Sequence, residues 1–224
     1  MLDTLQLTGR ARTHVQPIPE LGLSLQRDTA QALLGLRAAA RADGIDLAAV
    51  SGHRDLGRQV AVWNSKFRGE RQLLDRRGAE LERARLSDRE AVDAILIWSA
   101  LPGASRHHWG TDVDVIDRAA LPPGYRLQLT REEFTGGALA RFSAWLDEHA
   151  AEFGFFRPYA TDRGGIMPEP WHLSYAEIAQ PALSGLTLEV LAEAVAGASL
   201  DAREQVLARL PELYERYVVS VDEP

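Results

Sequence analysis

Apolar and polar positions along this chain follow two periods, and the switches between them mark out its elements. From Ser24 to Ala42 the residues Leu25, Ala32, Leu33, Leu36 and Ala40 recur at helical spacing, and Asp43-Gly44 supplies a stop, which predicts an amphipathic helix. Ile45 to Ser51 is a short apolar run that reads as a strand delivering Arg54 to a site, and Asp55 to Lys66 returns to the helical period. Ala91 to Ala100 predicts an apolar helix broken at Leu101-Pro102-Gly103. Asp112-Val113-Asp114-Val115 alternates as a half-buried strand does, and Phe142 to Phe153 is again helical. Glu169-Pro170-Trp171-His172-Leu173-Ser174-Tyr175 is a polar-aromatic cluster placed on a strand edge, because Pro170 has no N–H for a ladder. From Leu186 to Val219 the pattern is helical throughout.

Short strands with helices before, between and after them predict an α+β fold, a small central antiparallel sheet flanked by helices with a helical C-terminal tail. One catalytic domain is expected over residues 1–184, its core at 24–180, followed by a helical appendage at 185–224. The appendage carries few groups suited to catalysis, so it is assigned to packing or to a homodimer contact. Residues 67–89 are dense in charge and read as a solvated loop and helix, with a substrate-covering lid as the alternative.

Composition narrows the chemistry. An apolar fraction of 46% with 25% charged residues is ordinary for a globular chain, and the net charge of −7 opposes long-range attraction to nucleic acid or an anionic membrane, so neither is an expected partner. Cysteine is absent, which excludes disulfides, thiolate ligands and a cysteine nucleophile; a metal here must use histidine and carboxylate. No window approaches the ~20 apolar residues of a membrane span, and the N-terminus lacks a basic stretch followed by an apolar run. The expected location is the cytoplasm, or the periplasm had a signal been removed.

Six histidines occur, and their grouping matters more than their number. Ser105-Arg106-His107-His108-Trp109-Gly110-Thr111-Asp112-Val113-Asp114 gathers imidazole and carboxylate around a glycine turn, and Glu169-Pro170-Trp171-His172 adds a base and another imidazole. A hydrolytic zinc takes three protein ligands and keeps one position open, and two histidines with one carboxylate form a standard set; His107, Asp114 and His172 provide it. Such a site also needs a base that does not bind the metal, and Glu169, held by Pro170, is the candidate.

The two blocks resemble S-x-H-x-x-G-x-A-x-D and E-x-W-H of the metallopeptidase superfamily named after lysostaphin, the D-alanyl-D-alanine peptidases and the hedgehog domain. A third block, Ser51-Gly52-His53-Arg54-Asp55-Leu56-Gly57-Arg58-Gln59, is similar to the S-G-Y-R-S-x-x-x-Q of its carboxypeptidase and dipeptidase branch, known from vancomycin resistance and peptidoglycan trimming. Three blocks in order over residues 51–175 carry the resemblance. It implies the same fold, zinc on His107, Asp114 and His172, Glu169 as general base and acid, and Arg54 on the oxyanion or the substrate carboxylate. Ser105 and Gln59 become substrate contacts, Trp171 packs beneath the ligand histidine, and His108 is a packed or solvent-facing residue. The chain departs from the pattern at His53 for Tyr, Asp55 for Ser, and Asp112 for Ala. On a strand Asp112 shares a face with Asp114, so it could crowd the metal, orient a ligand histidine or bind a substrate amine.

The expected activity is release of C-terminal D-alanine from murein-derived peptides. The lack of an export pattern points to the L,D bond of recycled tetrapeptides; D,D-carboxypeptidase and D,D-dipeptidase activities are the alternatives. Two other classes stand further off: a peptidoglycan-binding module without catalysis, and a non-haem iron oxygenase, which also uses two histidines and a carboxylate.

Overall fold

The computed structural model describes all 224 residues. Helix α1 (Thr4–Leu7) leads into a hairpin of β1 (Gln16–Ile18) and β2 (Leu23–Leu25), followed by α2 (Arg27–Ala42), β3 (Leu47–Ser51) and α3 (Leu56–Phe67). A second hairpin, β4 (Leu73–Leu74) with β5 (Glu80–Leu81), precedes α4 (Asp88–Trp98) and β6 (Asp112–Asp117). Then come α5 (Arg131–Thr135), α6 (Ala140–His149), β7 (Phe155–Phe156) and β8 (His172–Tyr175). Four helices close the chain: α7 (Ala176–Gly185), α8 (Leu188–Gly197), α9 (Arg203–Ala208) and α10 (Leu210–Tyr214). No helix is long and apolar enough to cross a membrane.

Local chemistry explains where the functional helices begin. Asp55, where the resembled pattern has Ser, accepts the Arg58 amide at 2.8 Å and caps α3; the two residue types are equivalent as caps, so the departure costs nothing structurally. Ser87 and Glu90 form a reciprocal capping box at the start of α4.

The central sheet is antiparallel, in the order β3-β6-β8-β7. Its register places Ser51 opposite Asp114 and Asp114 opposite His172, so one row across three strands carries two candidate ligands. A bulge between Ala49 and Ser51 leaves Val50 unpaired. Because strand side chains alternate, Val113, Val115 and Leu173 point to the other face, where they pack with Leu33 and Leu36 of α2 and Phe142 and Leu146 of α6. Pro170 lies before β8, and β8 is an interior strand rather than an edge.

The C-terminal helices differ from the expected appendage. Leu191, Val195, Val206, Leu210, Leu213 and Tyr217 belong to one core cluster with Leu7, Trp63, Val92, Ile95 and Tyr159, so the apolar face that suggested a dimer contact is used within the chain. The last turn also grips the loop before β8. Asp222 accepts from the Thr161 amide and hydroxyl at 2.8 and 2.7 Å, and a Cβ at Gly165 would lie 2.2 Å from the Arg216 carbonyl oxygen.

Residues 67–89 are largely exposed and partly helical, and they also carry a hairpin that the sequence pattern did not show. Between the end of α3 and the start of α4 lie the β4–β5 hairpin and one turn of 3-10 helix, with Leu73 buried in the same core. Arg76 donates to the Gly165 carbonyl at 3.0 Å and pairs with Asp162, while Trp98 donates to the Asp75 carbonyl at 3.0 Å. Of the many charges here, Arg76 fixes this hairpin to the loop before β8, and Arg68 pairs with Asp201 of the C-terminal region.

Replacing Leu213 by Ala should lower the free energy of unfolding by about 2–5 kcal/mol in urea titration, with a single transition. A chain cut after residue 184 should lack a cooperative transition; a native-like transition in that fragment would show the tail to be a true appendage.

Candidate metal centre

His107 sits in a single turn of 3-10 helix (Arg106–Trp109) that ends at Gly110, whose φ of +68° reverses the chain into β6. A Cβ at Gly110 would lie 2.3 Å from Val15 Cγ1 and 3.0 Å from the Gln26 amide nitrogen, so this turn accepts only glycine. The turn brings the His107 ring to 4.9 Å from the His172 ring, centroid to centroid, at an interplanar angle of 72°.

The nitrogen and oxygen atoms that His107, Asp114 and His172 can offer to a metal all lie within 4.8 Å of one another, and all three residues are buried. His107 Nε2 is 3.5 Å from Asp114 Oδ2, and His172 Nδ1 is 3.1 Å from Asp114 Oδ1. Zinc bonds of about 2.0–2.2 Å in a tetrahedron separate neighbouring ligand atoms by about 3.3–3.6 Å, and both distances fall close to that. Asp114 Oδ1 and His107 Nδ1 are buried without a hydrogen-bond partner, a state that a bound cation relieves at the carboxylate. The three residues therefore fit a divalent zinc.

Two of the three groups stand in the charge state that a ligand needs, and the third, His172, would give up a proton to a bound cation. Burial lowers the His107 pKa to about 3, which keeps the imidazole neutral and able to ligate. Burial pushes the Asp114 carboxyl up, but His107, His172 and Arg54 outweigh it and hold it ionised. Burial disfavours the His172 imidazolium, yet Asp112, Asp114 and Glu169 together raise its pKa well above the ordinary value, as expected where anions crowd a single ring.

Asp112 does not face open space. Its side chain is fully buried, and its oxygens accept from His172 Nε2 at 2.9 Å, Arg106 Nε at 2.8 Å and Thr111 Oγ1 at 2.6 Å. With Nε2 occupied, His172 presents Nδ1 to Asp114 and to Glu169 Oε2, 3.3 Å away. Of the three roles open to Asp112, this geometry matches orientation of the ligand histidine; the substrate contact expected from the sequence does not fit, because neither carboxylate oxygen is free. Arg106 is buried as well, donates to Ser174 Oγ at 2.6 Å and lies over the Trp109 ring at 4.8 Å.

Arg54 and Gln59 act as a pair. Arg54 Nη1 donates to Gln59 Oε1 at 2.8 Å, and the Gln59 amide donates to the Ala100 carbonyl at 2.7 Å. Gln59 is wholly buried, so instead of the expected substrate contact it holds the guanidinium in place. The Arg54 amide donates to the His107 carbonyl at 3.1 Å, and the Arg54 carbonyl accepts from His108 Nδ1 at 2.6 Å. His108 also accepts from the Gly103 amide at 3.3 Å, so it is a packed neutral imidazole, its pKa lowered to about 4 by burial. Ser105 is buried at the start of the 3-10 turn, where its carbonyl accepts from the His108 amide. Trp171 is buried in the cluster beneath the sheet, against Phe134.

A sequence model of the VanY family, D-alanyl-D-alanine carboxypeptidase, matches residues 22–178. The chain belongs to the VanY family. A D-alanyl-D-alanine carboxypeptidase of Enterococcus faecalis is 30% identical over 143 residues, 62% of this chain and 44% of that protein. An uncharacterized protein of Haemophilus influenzae is 34% identical over 122 residues, 53% of this chain and 93% of its own length. VanYB in complex with D-alanine-D-alanine is similar with a TM-score of 0.54 and 26% identity, covering 80% of this chain and 88% of that one. A zinc complex of a mutant VanY D,D-pentapeptidase gives 0.53 and 26%, covering 80% and 89%.

Sequence reasoning missed Arg106, Ser174 and Tyr159 in this VanY site. Ser174 was within reach, since it shares the face of His172 two residues on and pairs with Asp112. Tyr159, whose ring stands 5.1 Å from that of His172, had no local signal.

Asp112→Ala should weaken zinc binding about 10–100-fold in competition with a chromogenic chelator. His108 ties its own pH dependence to folding. Its pKa is lower in the folded chain than the unfolded 6.5, so the stability it contributes is complete above pH 6.5 and is lost as pH falls through 4. The loss should reach about 3 kcal/mol from this group, read as a shallower acid limb of stability against pH in His108→Gln.

Proposed function

We propose that this protein is a zinc-dependent carboxypeptidase that hydrolyses the last peptide bond of murein-derived peptides ending in D-alanine, with the D,D bond as its first target. The observation that carries this reading is the place of Glu169: its Oε2 stands 3.3 Å from the Nδ1 of His172, beside the three candidate ligands and outside their set. A carboxylate so placed has a use in activating water and none in an oxygenase triad. VanYB binds D-alanine-D-alanine at 26% identity, which favours the D,D bond over the L,D bond suggested by the N-terminal sequence.

Bound zinc would supply a Lewis acid and a more acidic water. The residues of the chain do the rest. Burial raises the Glu169 pKa against the opposing pull of His172, and a more basic carboxylate takes the proton of the attacking water more readily. Glu169 then returns that proton to the nitrogen of the departing D-alanine. The Arg54 fork, braced by Gln59, pairs with the terminal carboxylate or the developing oxyanion. Asp112 keeps His172 turned so that Nδ1 faces the metal position.

Zinc-loaded protein incubated with muramyl pentapeptide should release one D-alanine, identified by mass spectrometry, and should cut the tetrapeptide more slowly. Glu169→Gln should lower kcat by about 10²–10⁴-fold while still binding one zinc. Intact peptides with the wild type, or full activity in Glu169→Gln, would sink the assignment.

A further inference from the structure

Lys66 is the chain's one lysine among 25 basic residues, and Glu169 and Arg54 of the site both act on its charge. It follows Gln59 by two turns of α3, so the two side chains share a face, about 10 Å apart along the axis. That face runs along the chain just past α4: Gln59 donates to the Ala100 carbonyl and Lys66 Nζ to Ser99 Oγ at 2.7 Å. The Met167 amide donates to the Ile97 carbonyl at 3.0 Å, which joins the same segment to the loop carrying Glu169. Lys66 is half-buried, its only hydrogen-bond partner is a neutral hydroxyl, and it forms no ion pair.

Its electrostatic neighbours explain what it is for. Burial and Arg71 lower its pKa to about 8, with Glu169 opposing and Arg54 adding to the repulsion. A cation kept partly desolvated, repelled by two other cations and in direct contact with no carboxylate, is a site short of an anion. The terminal carboxylate of a substrate satisfies one of these cations, and Arg54 is placed to take it. Arginine serves every other basic position, and its planar fork suits fixed pairs within the protein; an ammonium on a flexible stem can instead follow an incoming group.

We propose that Lys66, assisted by Arg71, forms a second anion subsite that binds a side-chain carboxylate on one of the two residues preceding the scissile bond. This rests on the peptidase reading above, and it makes Lys66 a specificity-determining residue for acidic stem peptides.

The test uses synthetic peptides ending in D-alanine that carry a linear side chain at the first or the second position before the scissile bond. Each side chain ends in a carboxylate or in the matching carboxamide. A parallel set with a ketomethylene group in place of the last peptide bond reads affinity by calorimetry without turnover. On zinc-loaded wild type, the carboxylate at one of the two positions should be preferred about tenfold, mainly in KM and equally in calorimetric Kd. Lys66→Met should bring that ratio to about one, and Lys66→Arg should keep most of it. Equal binding of carboxylate and carboxamide by the wild type at both positions, or an undiminished ratio in Lys66→Met, overturns the subsite. Cleavage of no peptide, with the calorimetric preference intact and lost in Lys66→Met, supports the subsite and removes the peptidase reading instead.

Discussion

The site hangs on the pairing of β6 with β8. That register sets Asp114 directly opposite His172, and Cβ atoms of opposed residues stand about 4.5–5.5 Å apart, close enough for one ion to join the two side chains. A slip by one residue would send both to the face that packs on α2 and α6, where Val113 and Leu173 now sit, and would bury carboxylate and imidazole in apolar surroundings. The large apolar cost of such a slip is what keeps the polar row intact. The candidate metal position is thus specified less by the three candidate ligands than by the valines and leucines on the other side of the sheet.

Around that row the chain arranges its charges in layers. Next to the candidate ligands stand two groups that fix their direction, Asp112 on His172 and Gln59 on Arg54, and each is wholly buried. Outside these stand Arg106 over Trp109, and His108 clasping the Arg54 carbonyl. Buried polar groups of this kind are tolerated because most of them are paired, and one exception, Asp114 Oδ1, lies where a cation would go. Glu169 comes from a separate loop, which explains why so much of the molecule is used to brace it: the β4–β5 hairpin through Arg76, and the C-terminal turn through Asp222 and Arg216.

These braces show why the domain outline read from the sequence differs from the structure. Periodicity marks α8 to α10 as helices with apolar faces, but it does not say what covers those faces. Here the cover includes Trp63, Val92 and Ile95, far upstream in the chain. Residues 67–89 mislead in the opposite way, since arginines that donate to backbone carbonyls look the same in sequence as arginines in water.

By itself the sequence pointed to most of the long elements, the small antiparallel sheet with its helices, and the candidate set His107, Asp114, His172 with Glu169 and Arg54. Each of these follows from local periodicity, residue chemistry or ordered motif blocks. Only the tertiary structure decided that Asp112 and Gln59 are buried against His172 and Arg54, that the tail packs into the core, and that Lys66 meets a hydroxyl instead of a carboxylate. Those facts depend on which atoms meet across long sequence separations, such as His172 with Asp112 and the Glu169 loop with the C-terminal turn. A one-dimensional pattern records what a side chain can do; only packing decides which partner it is left with.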